Sequence, residues 1–324
     1  MAEIKAEKMA TRQAYGKTLV ELGKTTPNLV VMDADLSKST MTAEFGKAYP
    51  ERFFNMGIAE QNLYGTACGL ALSGKVVCAS TFAMFAAGRA FEIIRNSIGY
   101  THANVKICAT HAGITVGEDG ASHQTFEDIA LMRTIPGMTV LNPSDGVSAR
   151  ALIKQAAAFD GPAYIRLGRA AVPTFYTEEM AAKLEIGKGV CLRTGDKKDG
   201  KPADATVIAT GIMVNEAMLA AEELAANGIE VRVIDMHTIK PLDADIIYRA
   251  ARETGAVVTA EEHSVIGGLG SAVAEVTATH YPVKMAMVGQ QDTFGESGKP
   301  DELKAKYGMT AADIVRAVKL LIEA

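Results

Sequence analysis

The chain has 324 residues, of which 48% are hydrophobic and 22% charged, and its formal net charge is −5. This balance is typical of a folded protein with room for two domains, and it argues against a disordered chain or a nucleic-acid-binding surface. No apolar run is long enough to span a membrane. The charged start, residues 2–8, lacks the apolar core of a signal peptide, and the four cysteines show no CxxC spacing. We therefore expect a cytoplasmic protein whose thiols are buried and reduced.

Hydrophobic patterning predicts alternating helices and strands in the first half of the chain. Helical spacing predicts helices at residues 9–22, 58–72, 82–100, 125–132 and 144–158. Apolar runs predict strands at residues 28–33, 53–55, 76–80, 105–110, 138–141 and 163–167. Such alternation is typical of a doubly wound, mostly parallel sheet.

Glu60 stands in the first turn of the predicted helix at residues 58–72, which has an apolar face. Gly65 and Gly69 lie four residues apart on one side, and each costs about 1 kcal/mol relative to alanine inside a helix. They indicate that something large, such as another backbone or a flat ring, lies against this side. An acid in a first turn offsets the helix dipole. The alternative is a carboxylate in an apolar site that shares a proton with a heterocyclic ring.

Polar residues follow several predicted strands, where open α/β sheets bind ligands. Residues 33–39 form an acidic, hydroxyl-rich turn, although the same residue types are common in ordinary loops. Phe82 and Phe85 lie three residues apart after the strand at residues 76–80 and can face the same way. They form either part of the core or a wall for a planar ring.

The loop at residues 111–124 is the most unusual in the chain, with two histidines, two acids and three glycines. His111 and His123 are twelve residues apart, which is not the spacing of a zinc site. Imidazoles near Asp119 suit proton transfer and hydroxyl recognition, so we expect this loop to bind a ligand.

A connector at residues 170–187 is predicted to separate a first domain, 1–187, from a smaller second α/β domain, 188–324. In the second domain we expect strands at residues 205–210, 230–234, 256–261 and 283–288, and helices at 214–227, 243–252, 270–279 and 310–322. Residues 267–270 match a nucleotide-binding loop only in part, and we interpret them as a tight start of a helix. His263 beside them is either functional or a cap.

Together these segments resemble the C-terminal half of the transketolase family over nearly the whole chain. Residues 56–61 are similar to the segment with the thiamine-activating glutamate, and residues 80–85 to the pyrimidine-stacking segment. Residues 117–124 are similar to the substrate loop, and residues 10–12 and 33–36 also fit the family. The resemblance implies an α/β fold of two doubly wound, mostly parallel sheets: a thiamine pyrimidine-binding domain and a transketolase-like C-terminal domain.

The resemblance also implies roles for individual residues. Glu60 would pair with a pyrimidine ring nitrogen of thiamine diphosphate, and His111 and His123 would act in catalysis beside it. The cofactor-binding residues would be Glu60, Phe82, Phe85, Asp35 and Leu36. A phosphosugar would be bound by Arg12, Ser39, His111, Asp119, His123 and Arg169, with Arg166 as a rival of Arg169 for the phosphate. One family aromatic maps near Gly88, so the ring cage would be more open here.

Part of such an enzyme would lie on another chain. Full-length transketolases hold diphosphate and a divalent metal through a Gly-Asp-Gly motif and a downstream asparagine, and this sequence has no Gly-Asp-Gly triplet. The resemblance therefore implies a partner, the transketolase N-terminal subunit, which would bind Mg or Ca, with no metal ligand on this chain. The glycine face of the Glu60 helix favours self-association across a two-fold axis. The expected assembly is a heterotetramer of the pentose phosphate pathway.

Three alternatives stay open. The beta subunit of a 2-oxo-acid dehydrogenase has a similar length and activating glutamate, but it lacks this substrate loop. Deoxyxylulose-phosphate synthase shares much of the loop, but it is normally one long chain. A regulatory or interaction subunit that has kept the fold without the cofactor is the non-enzyme alternative.

Overall fold

The computed structural model describes residues 7–197 and 199–323, so most of the charged start lies outside the described residues. The strands are β1 (Lys8–Ala10), β2 (Leu29–Asp33), β3 (Phe53–Asn55), β4 (Val76–Phe82), β5 (Val105–Thr110), β6 (Thr139–Leu141), β7 (Ala163–Arg166), β8 (Ala171–Pro173), β9 (Val190–Arg193), β10 (Ala205–Ala209), β11 (Val231–Asp235), β12 (Thr238–Lys240), β13 (Ala256–Ser264) and β14 (Lys284–Gln290). The helices are α1 (Thr11–Thr25), α2 (Ser37–Thr40), α3 (Ala43–Ala48), α4 (Glu60–Leu72), α5 (Phe91–Ile93), α6 (Asp128–Thr134), α7 (Gly146–Ala158), α8 (Glu178–Ala181), α9 (Met213–Ala226), α10 (Ala244–Thr254), α11 (Leu269–His280), α12 (Pro300–Lys306) and α13 (Ala311–Glu323).

A seven-stranded sheet in the first half positions the candidate site. Its order is β12-β6-β7-β5-β4-β2-β3, and every pair is parallel except β12 with β6. Strands β2, β4 and β5 are buried along their whole length, as their mostly apolar sequences predict. Because these strands are parallel, Asp33, Phe82 and Thr110 end at the same edge of the sheet.

A five-stranded sheet forms the second unit, in the order β14-β13-β10-β11-β9, with β9 antiparallel and the other strands parallel. The prediction of an α/β fold with two mostly parallel sheets is confirmed. The two halves also share a sheet edge, because β12 from the second half pairs with β6. The boundary at residues 187/188 stays a prediction. Within the described residues, no helix combines the length and apolarity needed to cross a membrane.

Three local predictions were wrong. The helix predicted from residue 9 begins at Thr11, because residues 8–10 form β1 and pair with β8. The segment after Phe82 is not one regular helix, since π-helical turns at Phe85–Arg89 and Ile94–Gly99 flank α5. All four cysteines are free, but Cys191 is exposed on β9 instead of buried.

The glycine-rich segment at residues 267–270 leads into α11, and two of its backbone N–H groups are already bonded to a side chain of this protein. The Glu261 carboxylate accepts the backbone N–H groups of Leu269 and Gly270, both at 2.7 Å. These are the groups that a bound phosphate would need. His263 is buried beside them, where its Nε2 accepts from the Ile129 N–H at 3.2 Å and its Nδ1 lies 2.8 Å from the Ser264 carbonyl oxygen. Both features are therefore structural.

Candidate active site

An aromatic wall stands at the end of β4. The rings of Phe82 and Phe85 are nearly parallel, with centroids 5.9 Å apart and an interplanar angle of 11°. His111, which follows β5, stacks on Phe82 at 3.9 Å, and the edge of His123 meets Phe85 at 5.4 Å. Neighbouring parallel strands thus bring together two aromatic residues and two histidines that are up to 41 positions apart in sequence. Such a wall suits a planar ring.

His111 is held as a neutral imidazole. Its backbone has a φ of +58°, which is uncommon for a residue with a side chain, and its Nδ1 lies 2.9 Å from the Thr110 hydroxyl. Burial, followed by the charges of Arg12, Arg169 and His123, lowers the pKa of His111 to about 3. The side chain therefore acts as a hydrogen-bonding group rather than as a cation.

Two arginines lie near this imidazole. Arg12 donates to the Ser39 carbonyl oxygen at 2.7 Å, and burial, followed by the charge of Arg169, lowers the pKa of its guanidinium. Arg169 pairs with Glu118 at 2.7 Å and donates to the Val116 carbonyl oxygen. Two guanidinium groups that destabilise each other form a suitable site for a phosphate or sulfonate.

Arg166 is not a rival for that anion, so this expectation was wrong. Its side chain is 3% exposed and forms a bidentate pair with Asp128, at 2.8 and 3.3 Å. Asp128 is fully buried and also accepts from the Tyr164 hydroxyl at 2.7 Å. The guanidinium faces this internal network because Arg166 lies on β7, whereas Arg169 follows that strand.

Glu60 is the first residue of α4, which packs on β4, and it is only 4% exposed. Within residues 7–197 and 199–323 its carboxylate has no hydrogen-bond or ion-pair partner. The hydroxyl of Tyr64, one turn later, is also buried without a partner. A buried carboxylate without a partner is costly. This position therefore calls for a donor from a ligand or another chain.

The turn after β2 carries Asp35 and Leu36. It lies at the same edge of the sheet as the ends of β3 and β4. The buried Asp33 accepts the Leu36 N–H at 2.6 Å and the hydroxyls of Thr40 and Thr42. Asp35 itself has a φ of +63° and is exposed. Its carboxylate accepts a hydrogen bond from the Asn55 side-chain amide at 3.2 Å.

Glycines shape two surfaces of the site. A Cβ at Gly65 or Gly69 would meet no atom of the described residues within 4 Å, so the glycine face of α4 is open among them. The expectation that something large covers this face is not met by the described part of the chain. A Cβ at Gly88 would lie 2.7 Å from the Met84 methyl, so Met84 fills part of the space expected to be open there.

The rest of the loop carries Asp119 and His123. Asp119 ends the 3-10 turn Ile114–Asp119 and is exposed, while His123 Nδ1 lies 3.0 Å from the Ser122 hydroxyl. In the described part of the chain, no group of three or more His, Cys, Asp or Glu residues could hold a metal ion. The pairing of Glu118 with Arg169 was not predicted, because the two residues meet only in the folded chain.

The fold and the site define an α/β protein with an aromatic wall and two arginines at the carboxyl edge of a parallel sheet. The family model for the transketolase pyrimidine binding domain matches residues 7–174, and the model for the transketolase C-terminal domain matches residues 197–314. The chain belongs to the transketolase family, as the resemblance implied.

Relatives of similar length support this assignment. A transketolase C-terminal section from Methanocaldococcus jannaschii is 52% identical and is covered over 94% of its length by 95% of this chain. A 6-deoxy-6-sulfo-D-fructose transketolase subunit from Clostridium sp. is 43% identical, and the match covers 97% of that protein and 99% of this chain. The solved structure of a split-gene transketolase, an inactive beta4 tetramer, is 56% identical and has a TM-score of 0.88. The match covers 99% of that chain and 97% of this one.

Proposed function

We propose that this chain is the pyrimidine-binding subunit of a thiamine-diphosphate-dependent transketolase, which transfers a two-carbon ketol unit between phosphosugars. The N-terminal transketolase subunit, a separate chain, supplies the diphosphate site and the divalent metal, Mg or Ca. When bound, thiamine diphosphate supplies the carbon nucleophile that carries the two-carbon unit.

The observation that carries the proposal is the buried, unpaired carboxylate of Glu60. A pyrimidine ring nitrogen provides the partner that this carboxylate lacks, and the shared proton compensates for its desolvation. Phe82 and Phe85 offer the ring a parallel aromatic wall. The turn at Asp35 and Leu36 borders the same edge of the sheet.

The remaining residues serve the sugar. His111 and His123 are placed at the aromatic wall, where they hydrogen-bond oxygens around the reacting carbon. Asp119 is exposed and recognises a substrate hydroxyl. Arg12, with Ser39 beside it, and Arg169 bind the anionic end. The name of the Clostridium relative, which refers to a sulfosugar, supports an anion at this end and leaves phosphate or sulfonate as its identity.

Assembly with other chains completes the site. The open face at Gly65 and Gly69 allows the backbone of a two-fold mate to approach closely. The related split-gene transketolase is described as inactive in its beta4 form, which supports a requirement for the other subunit here.

The test is ketol transfer from xylulose phosphate to ribose phosphate, measured for this chain alone and with the N-terminal subunit. We expect activity only from the mixture, and only with thiamine diphosphate and a divalent metal. Full activity from the chain alone would refute the split site. An inactive mixture, in spite of a complex that is stable on a sizing column, would refute the proposed reaction.

A further inference from the structure

The substrate loop, residues 111–124, forms hydrogen bonds with the second half of the chain. Glu262, on β13, accepts a hydrogen bond from the Thr115 backbone N–H, with Oε1 2.6 Å from the nitrogen. Thr115 is in the first of two 3-10 turns within Ile114–Asp119, which are separated by a break at Gly117, and backbone N–H groups in a first turn have no partner within the helix. Glu262 therefore caps the turn that precedes this break.

The loop backbone is shaped to admit this carboxylate. Gly113 has a φ of +80°, and a Cβ at this position would lie 2.5 Å from Oε1 of Glu262. Glycine is the residue that adopts this conformation without strain and leaves room for the carboxylate. The sequence of the loop and the side chain from β13 are thus complementary.

A buried ion network fixes the rotamer of Glu262. Arg166 donates to the Glu262 carbonyl oxygen at 2.8 Å, and its Nη1 lies 3.9 Å from Oε2 of the same residue. The bidentate pair with Asp128 holds this guanidinium from the other side. Arg166 and Glu262 are each 3% exposed, so neither charge is solvated and each depends on its partners.

A second set of contacts supports the far end of the loop. Gln124 donates its amide to the Glu296 carbonyl oxygen at 2.9 Å. A Cβ at Gly120 would lie 2.5 Å from the Ser297 hydroxyl oxygen. Both ends of the loop therefore rest on the second half of the chain.

We propose that Glu262 is a positioning residue for the substrate loop, and that the second half of the chain thereby sets the geometry of the site. This inference rests on the proposed function. Glu262 acts through the turn that it caps, because the Val116 carbonyl oxygen in this turn accepts a hydrogen bond from Arg169. Glu118, which also pairs with Arg169, and Asp119 follow directly after the break at Gly117. A shift of the capped turn therefore displaces the arginine that is proposed to bind the anion.

Two substitutions separate the hydrogen bond from the charge. Glu262→Gln keeps the length and an acceptor oxygen for Thr115, whereas Glu262→Asp keeps the charge but is one methylene shorter. Thr115→Pro removes the donor and leaves the ion network whole, so it tests the same bond if Glu262→Asp fails to fold. Glu275→Gln is the matched control, because Glu275 pairs with Arg133 of α6, at 2.7 and 3.0 Å, across the same boundary but not on the loop.

Amide hydrogen exchange of the loop in the chain alone and kcat/KM of the assembly with its partner subunit are the two readouts. For Glu262→Asp we expect exchange at Thr115 to be roughly ten- to a hundredfold faster. We expect kcat/KM for the phosphosugar to fall by about a hundredfold, the usual cost of misplacing a site by about 1 Å. Thr115→Pro should lower kcat/KM similarly and speed exchange at the neighbouring loop amides. Glu262→Gln should stay closer to the unsubstituted protein, and Glu275→Gln should change neither readout.

If the rate of amide hydrogen exchange in the loop is unchanged in Glu262→Asp, the inference is overturned, whatever the activity of the assembly. A Glu262→Gln variant more impaired than Glu262→Asp would also overturn it, because Glu262 would then act only as a charge partner of Arg166. Expected exchange results together with an assembly that performs no ketol transfer would support loop positioning and refute the proposed function alone.

Discussion

The carboxylate of Glu118 lies 2.7 Å from Nη1 of Arg169, so the substrate loop supplies its own anion to the arginine expected to bind the substrate's charged end. Arg12 is near enough for the charge of Arg169, after burial, to lower its pKa. An entering phosphate must therefore compete with Glu118 for Arg169. This competition makes Glu118 a determinant of affinity for anions.

We expect Glu118→Gln to tighten the binding of inorganic phosphate to the chain by about two- to fivefold, because the pair is exposed and screened by solvent. Calorimetric titration measures the change. Glu302→Gln is the control, because this substitution also removes one carboxylate charge but does not alter a contact of Arg169. Glu302 lies on α12 and pairs with Lys299, which precedes that helix. Weaker phosphate binding in Glu118→Gln would show instead that the carboxylate aligns Arg169.

The buried carboxylate of Glu60 is expected to be essential for turnover. Glu60→Gln should lower kcat of the assembly by at least about a hundredfold, because the amide cannot share a proton with the pyrimidine ring, while the fold is retained. Steady-state kinetics and circular dichroism are the measurements. Glu44→Gln, also in the first turn of a helix, changes only the helix-dipole contribution and should leave kcat unchanged. Equal rates for both variants would mean that Glu60 serves only its helix.

The neutral state of His111 predicts a pH effect on stability. Its folded pKa of about 3 lies below the ordinary value of 6.5, so below about pH 6.5 the unfolded state takes up a proton that the folded state refuses. Stability is therefore lost as the pH falls. His111→Asn should abolish this contribution, so the protein should lose about 1 kcal/mol relative to the variant between about pH 7.5 and 5.5. Urea unfolding at both pH values measures it, and a constant difference would contradict the prediction.

The opposite dependence is expected at Asp235, at the buried end of β11. Its Oδ2 accepts the hydroxyls of Ser144 and Tyr176, at 2.6 and 2.9 Å, but burial raises its pKa to about 7. The folded state thus keeps a proton that the unfolded state loses above 3.8, and stability falls as the pH rises from about 4 to 7. Asp235→Asn mimics the protonated acid.

This substitution should stabilise the protein by roughly 2–4 kcal/mol at about pH 8 and have little effect at about pH 4. Chemical unfolding at the two pH values is the measurement. A stabilisation of equal size at both values would point to packing rather than to the proton.

Much of the fold could be predicted because buried parallel strands carry their own signal. Strands β2, β4 and β5 are mostly apolar, so the sequence indicates them without knowledge of their partners. Strands β1, β8 and β12 were missed because each is short, lacks an apolar run of its own, and forms only by pairing with a distant segment. No local pattern indicates that residue 8 pairs with residue 173.

The candidate site divides in the same way. Residue type and local spacing identified Glu60, Phe82, Phe85 and the loop with His111 as candidate site residues. Their roles stay predictions for experiment. The sequence pointed to Arg169 for the phosphate but left Arg166, three positions earlier, as a rival. The fold separated them, because Arg166 lies on β7 within reach of Asp128 and Arg169 follows that strand.

By itself, then, the sequence determined the family, the parallel sheets and the chemical groups that the site can use, since these depend on residue type and short-range spacing. Only the tertiary structure decided which charges are paired. Glu262 meets Thr115 across 147 residues, and Glu118 meets Arg169 across 51. Such contacts are set by how the two halves pack, because the energy of an ion pair depends on distance and burial, which chain order does not specify.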